Sequence, residues 1–241
     1  MEKILNGISS QSKNKNKKAM KTQFTIVIIA ILFLGFSNKS YSQDNNWKED
    51  IQLGALVGLT QPIILSGFNI EAALVYKRFI FDYSHGSSLN FKGDKLTQEL
   101  QDQNVEIHIP FTTGFAVGYR FTKWLNLRVQ PTLHRFDTYY KGETFSQNNR
   151  ILRNNTISLG FGLYGFYQPF ENKDNALRGI TIAPSIRFWP TIWSDLDKNG
   201  YRYQNKTTGK EEALKTLDPG LAFTPFIFNI SIGYMFDLSK N

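Results

Sequence analysis

The chain has 241 residues, of which 41% are hydrophobic, 15% aromatic and 20% charged, with no cysteine and a mean hydropathy of −0.32. That hydropathy excludes a polytopic helical membrane protein, and the aromatic content excludes a disordered chain. Without cysteine there is no disulfide framework, thiolate metal site, catalytic thiol or lipidated N-terminal cysteine. The formal charge of +8 is badly placed for nucleic-acid binding. Seven of the 28 basic residues but one of the 20 acidic residues precede Gln43, which leaves 21 − 19 = +2 beyond it.

In chain order, the first predicted element is an address. Phe24 to Phe36 is a run of 13 residues, apolar or glycine except for Thr25, preceded by Lys21 and followed by Ser40-Tyr41-Ser42. A positive n-region, an apolar h-region and small residues at −3 and −1 are the pattern of a secretory signal peptide. The run is short for a membrane-spanning helix, which needs about 20 residues. Met20 follows a polar, lysine-rich stretch and is the expected translation start. Residues 1–42 are thus read as leader with an N-terminal extension, and 43–241 as the mature domain.

Eight segments of period-two alternation follow, near 51–60, 67–76, 78–86, 110–121, 124–136, 156–168, 178–189 and 226–236. In the fifth, Leu125, Leu127, Val129, Pro131 and Leu133 share one face, and Asn126, Arg128, Gln130, Thr132 and His134 share the other. The apolar faces are large and continuous. The opposite faces mix glycine, serine and threonine with Glu71, Asp82, Arg120, Arg128 and Arg187, as in an inside-out barrel with a crowded lumen. Gly114, Gly118, Gly160 and Gly162 fall on that inner parity. The breaks after runs two, four and six are short, while 87–109, 137–155 and 190–225 are long, the loop asymmetry of outer-membrane barrels. Tyr76, Phe121, Trp124, Tyr167 and Phe236 fall at the short-turn ends, and Tyr83, Phe136, Phe188 and Trp193 at the long-loop ends. They suggest two aromatic girdles. The expected fold is therefore all-β: an eight-stranded antiparallel up-and-down transmembrane β-barrel in the outer membrane, with both mature termini periplasmic. A soluble periplasmic β-sandwich is the alternative fold.

On this pattern the chain resembles the small outer-membrane β-barrel proteins of the Bacteroidota type, and its architecture is similar to the transmembrane domain of outer-membrane protein A. The closing segment Ile232-Gly233-Tyr234-Met235-Phe236 is similar to the terminal-strand signal read by the barrel assembly machinery, through Gly233, Tyr234 and Phe236. It departs from that signal in that Asp237 to Asn241 follow the last aromatic. The resemblance implies the assembly machinery as a partner during insertion, outer-membrane lipid and lipopolysaccharide as surroundings, and no cofactor.

Several residues carry candidate chemistry. With a turn centred between Tyr76 and Lys77, Glu71 and Asp82 would face each other in the lumen, with Arg128 the natural partner and Arg78 and Arg120 nearer the rim. Such a network is either the gate of a narrow pore for small solutes or a plug of paired buried charges. The plug is the expectation, because side chains fill eight-stranded interiors. His85, Ser87 and Glu99 have a spacing similar to the triad of lipid A deacylase barrels, which would make Ser87 nucleophile, His85 base and Glu99 its orienter. Against that similarity, the motif lies after the third strand, Ser88 replaces an asparagine, and Glu99 falls in an expected loop helix, Lys95 to Gln103. Asp195, Asp197 and Asn199 mimic half a calcium loop, but Lys206 stands where a bidentate glutamate is needed. Three histidines in separate segments give no metal cluster. The reading that remains is a non-enzymatic barrel whose long loops, chiefly 190–225 and 87–109, meet an extracellular ligand. Tyr201, Tyr203 and Lys206 are candidate contacts.

Overall fold

The computed structural model describes residues 45–239. The expected leader, its cleavage site and Met20 lie outside the described residues. From Asn46 onward the described residues form a closed β-barrel.

Strands β1 (Ile51–Gly58), β2 (Phe68–Tyr76), β3 (Phe79–Phe91), β4 (Val105–Arg120), β5 (Leu125–Tyr140) and β6 (Arg150–Gly165) run up and down, each antiparallel to the last. β7 (Ile180–Phe188) pairs with β6, and the short β8 (Thr191–Ser194) continues along β6 after an interruption at Trp189-Pro190. β9 (Tyr201–Gln204) and β10 (Glu211–Leu214) form a separate hairpin in the longest loop. β11 (Phe226–Asp237) pairs with β7 on one side and with β1 on the other, from Gln52↔Asp237 to Gly58↔Ser231. That last pairing closes a ring of eight among the described residues, β1–β7 and β11.

Each wall strand alternates as the sequence alternates. On β5, Leu127, Val129, Pro131 and Leu133 are exposed, while Asn126, Arg128, Gln130, Thr132 and His134 are buried. The same holds round the ring: Leu53, Ala55 and Val57 on β1, Phe228, Ile230, Ile232 and Phe236 on β11 and their counterparts point outward. This is the reverse of a soluble fold, where exposed large apolar side chains are scattered rather than contiguous.

Two features differ from the sequence expectation. The walls of β3–β6 rise further than alternation indicated, so the intervening loops shrink to residues 92–104 and 141–149. Ser88 has a left-handed φ of 58° and inverts the parity of β3, so Leu89 and Phe91 turn inward whereas Phe79, Phe81 and Tyr83 point outward. A register shift between His108 and Thr112 does the same to β4. Bulges of this kind add a residue and re-aim the side chains beyond it, and in sequence such a break in period looks like the start of a loop. The second correction concerns Phe136, which was expected in the outer girdle. It is fully buried on the inner face, because it shares parity with Arg128 and not with Leu133.

The inner apolar residues form two groups. Leu56, Ala73, Val75, Ile80, Ala183 and Met235 pack near the short-turn end with Phe166. A larger cluster fills the long-loop end: Leu89, Phe91, Val105, Ile107, Ile109 and Phe136 from the tall walls, with Leu65, Leu96, Leu100, Leu214 and Phe223 from the loops. The β3–β6 walls therefore carry a small lobe with its own core. It is covered by one helical turn, α1 (Gln98–Asp102, capped by the Thr97 hydroxyl), and includes Leu214 from the β9–β10 hairpin.

Candidate functional site

The lumen between those groups is polar, and its charges are paired. Arg128 Nη1 donates to Asp82 Oδ2 at 2.7 Å and Arg128 Nε to Asn126 Oδ1 at 2.8 Å. Arg187 Nη2 reaches Glu71 Oε1 at 3.4 Å, and its Nε donates to Ser185. Glu71 Oε1 also accepts from Asn69 Nδ2 and Ser231 Oγ. All four charged side chains are almost wholly buried. The ring of Tyr164 lies close to both guanidinium groups, at 4.1 Å from Arg128 and 5.1 Å from Arg187. Cation–π contacts of this kind strengthen when desolvated. Above them Gln130 bonds Ser84 and Tyr164, and His134 is held between Thr112 and Ser158 at 2.7 Å on each side.

Small residues make this packing possible. Arg128 stands beside Gly118, where a Cβ would come within 2.8 Å of its Cγ; opposite Trp189, a Cβ on Gly160 would overlap the indole Nε1. Gly160→Val is therefore expected to cost about 1–3 kcal/mol of overpacking, read as a lower urea midpoint for the folded barrel. Trp189→Leu in the same chain should recover part of that loss.

The short-turn mouth is closed by Trp47, from the 3-10 turn at Asn45–Glu49. Its buried ring faces the guanidinium of Arg120 at 5.1 Å and that of Arg78 at 5.9 Å. Arg120 also bonds the Trp47, Lys77 and Lys123 carbonyls and pairs with Asp50 at 3.3 Å. Burial raises the pKa of the Asp50 carboxyl above the usual carboxylate range, partly offset by the charge of Arg120. At the other end, burial and then the charge of Glu212 push the Tyr203 phenol well above its ordinary value.

Three placements correct the sequence expectation. The turn between β2 and β3 is Lys77-Arg78, so Glu71 faces Ser84 and Asp82 faces Ala73 rather than each other. The displacement is two residues, which preserves the inner face but draws each acid to its own arginine. Arg78 is not among the luminal charges, because it occupies that turn and donates to the Tyr119 hydroxyl at 2.8 Å. The proposed triad is not assembled. Ser87 Oγ donates to the Pro110 carbonyl at 2.7 Å, Glu99 pairs with Lys215 at 3.3 Å, and no hydrogen bond joins either to His85 among the described residues. The expected helix around Glu99 is shorter than read, Gln98–Asp102.

Asp195 is engaged elsewhere than in a calcium loop. Both its carboxylate oxygens accept the Asn155 backbone N–H at 2.9 Å, and Oδ2 also accepts from Asn155 Nδ2. Asp197 contributes its carbonyl to a turn closed by Gly200 N–H, and Asn199 lies in that turn. No group of three or more His, Asp or Glu side chains suited to a metal occurs among the described residues. Gly233, Tyr234 and Phe236 lie on the closing strand, Gly233 facing inward opposite Leu56 and the two rings meeting outside at 4.7 Å with their planes tilted by 52°. The capping lobe and the Trp47 closure escaped sequence reading. The alternation of Val105, Ile107 and Ile109 with Glu106 and His108 was the available signal for the walls of the lobe.

No protein-family model and no curated protein sequence matches the chain. Among solved structures it is similar to the N-terminal β-barrel domain of Pseudomonas aeruginosa OprF, at 11% identity and a TM-score of 0.36, covering 78% of this chain and 98% of that one. Ail, the attachment invasion locus protein of Yersinia pestis, gives 11% and 0.35 over 78% and 97%. A major outer membrane protein from Thermus thermophilus gives 10% and 0.39 over 78% and 98%. These likenesses are distant, and the closure of β11 on β1 settles the architecture without them: the chain is an eight-stranded antiparallel up-and-down β-barrel.

Proposed function

We propose that this chain is a non-enzymatic outer-membrane barrel with a side-chain-filled lumen, which holds a folded lobe outside the cell as an interaction surface. The observation that carries the reading is the outer belt. On β5 the outward residues from Leu125 to Leu133 include no charge. Those nine positions span about 30 Å of strand at about 3.4 Å per residue. With a tilt of about 40° this leaves roughly 20–25 Å, the height of the apolar band on outer-membrane barrels. Tyr76, Phe121, Trp124, Tyr167 and Phe236 are exposed at its short-turn edge, and Tyr83, Phe188 and Trp193 at the other, where amphipathic rings suit a membrane interface.

In this reading the termini are periplasmic after export through a cleaved signal peptide. Gly233, Tyr234 and Phe236 present the assembly signal, and lipid and lipopolysaccharide surround the belt. The Trp47 floor, the paired charges and the apolar lobe core lie in series across the lumen and oppose the pore alternative. Placement of Ser87 and Glu99 opposes the lipid-modifying one. Reconstituted into planar bilayers, the folded protein is expected to give no steady conductance. A stable conductance lost in Arg128→Glu would overturn the plug, and recovery of residues 43–241 as a soluble monomer without detergent would overturn the membrane reading.

A further inference from the structure

Between the 141–149 loop, the start of β6 and the β9 side of the hairpin lies an open notch of about 300 Å³. That is the lower end of the size range for small-molecule sites, about 300–1,000 Å³. Ile151 and Tyr203, both half-buried, give the notch an apolar side. The Tyr203 ring is fixed there. Its hydroxyl donates to Gln103 Oε1 at 3.3 Å and accepts from Asn205 Nδ2 at 3.3 Å, and the ring lies 6.4 Å from that of Tyr140.

The polar side chains of the notch are tied at one end. Asn149 Nδ2 donates to the Thr144 carbonyl at 3.1 Å, and Gln204 Nε2 to the Gly209 carbonyl at 2.9 Å. Both amides are thereby oriented, and the oxygens Asn149 Oδ1 and Gln204 Oε1 are left without a partner among the described residues. Glu143 gives Oε1 to the Lys206 ammonium and keeps Oε2. No cation on the notch lacks its carboxylate, since Lys206 has Glu143 and Arg150 has Asp137 at 3.6 Å. Asp137 also holds Arg153. Of the acids further out, Glu212 accepts from Asn205 and Thr208 behind Tyr203, and Asp195 is bound to Asn155.

The groups left free are thus acceptor oxygens, two from amides and one from a carboxylate. They suit a ligand that donates several hydrogen bonds and carries no negative charge, which Glu143 would repel. An ammonium group would instead meet Arg150 and Lys206. A ring of hydroxyls with an apolar C–H face meets both the oxygens and the side formed by Ile151 and Tyr203. We propose that the notch binds an uncharged sugar unit of a glycan, whose hydroxyls donate to Asn149 Oδ1, Gln204 Oε1 and Glu143 Oε2. The receiving groups are locked before the sugar arrives, so binding orders little of the protein. The proposal rests on the reading that this lobe faces outward from the cell, but its test in detergent does not depend on membrane sidedness. Failure here would leave the membrane reading intact.

The test uses the full chain folded in micelles of a detergent that has no sugar headgroup. The probes are fluorescein-labelled trisaccharides ending in glucose, galactose, mannose or N-acetylglucosamine, each beside a sulfated counterpart. Fluorescence anisotropy should show saturable binding of at least one neutral probe, about tenfold or more tighter than its sulfated counterpart. Gln204→Ala should weaken that binding about fivefold, and Asn149→Ala combined with Gln204→Ala at least about twentyfold. Glu143→Gln keeps an acceptor but removes the negative charge, so the preference over the sulfated probe should shrink about threefold or more. Every variant is checked for folding by heat-modifiable gel mobility. The proposal would be overturned by the absence of saturable binding for every neutral probe, or by a sulfated probe binding as tightly. Undiminished binding by the double variant, or an unchanged preference in Glu143→Gln, would overturn it as well.

Discussion

Arg128→Met is expected to destabilise the folded barrel by about 3–5 kcal/mol, because it leaves Asp82 as a buried carboxylate without its cation. The two side chains are 1% and 3% exposed, so water cannot replace the lost partner without entering the lumen. The guanidinium also bonds Asn126 and lies over Tyr164, so its removal strips two neighbours as well. Adding Asp82→Asn should return much of the loss, since a buried ion pair replaced by neutral groups of similar volume is often close to neutral. The comparison is made by urea unfolding in lipid vesicles, with both single variants and the double to isolate the coupling. A cost below about 1 kcal/mol for Arg128→Met is the value for an exposed pair. It would mean that solvent reaches Asp82 and that the lumen is open.

Val129→Arg addresses the opposite face of the same strand. Val129 is at the middle of the outward run from Leu125 to Leu133, with Arg128 beside it pointing the other way. An arginine at the bilayer midplane of a β-barrel costs about 2–4 kcal/mol, falling towards zero near the interfaces. The expected result is a loss of that size in vesicles for Val129→Arg, and a much smaller one for Thr113→Arg, close to the upper edge of the belt. In a water-soluble fold the Val129 substitution would fall on an exposed surface, cost almost nothing and raise solubility. The sign of the effect thus separates the two environments without any assay of function.

The sequence carried the fold where period two is unbroken. Val129 and Arg128 were legible as outer and inner residues because neighbouring positions on β5 continue their parity for nine residues. Legibility failed at Ser88 and between His108 and Thr112, where a local backbone irregularity inverts the faces, and with it the walls of the lobe. The luminal acids were assigned to the correct face, but their register was displaced by two residues because Lys77-Arg78 carries no glycine or asparagine to mark the turn. A two-residue error preserves parity, so it is invisible to any argument from alternation. The pairings Arg128 to Asp82 and Arg187 to Glu71 join strands that are not adjacent in the ring: the first spans β4 within the curled sheet, and the second forms only when β11 closes on β1. Trp47 gave no periodic signal, since a single 3-10 turn beneath a barrel has none.

The pairing of Gln52 with Asp237 also has a kinetic consequence. Every junction from β1 to β7 joins strands that follow each other along the chain, so six hairpins can form with modest loop-closure entropy. The seam between β1 and β11 is different: it joins residues 52 and 237, and until it forms, the sheet has two open edges. Low-contact-order pairing forms early and long-range pairing late. The ring is therefore expected to zip as an open, curling sheet and to close in a single late step. A substitution confined to the seam, such as at Ala55 or Tyr234, should slow closure without disturbing the earlier phases of folding.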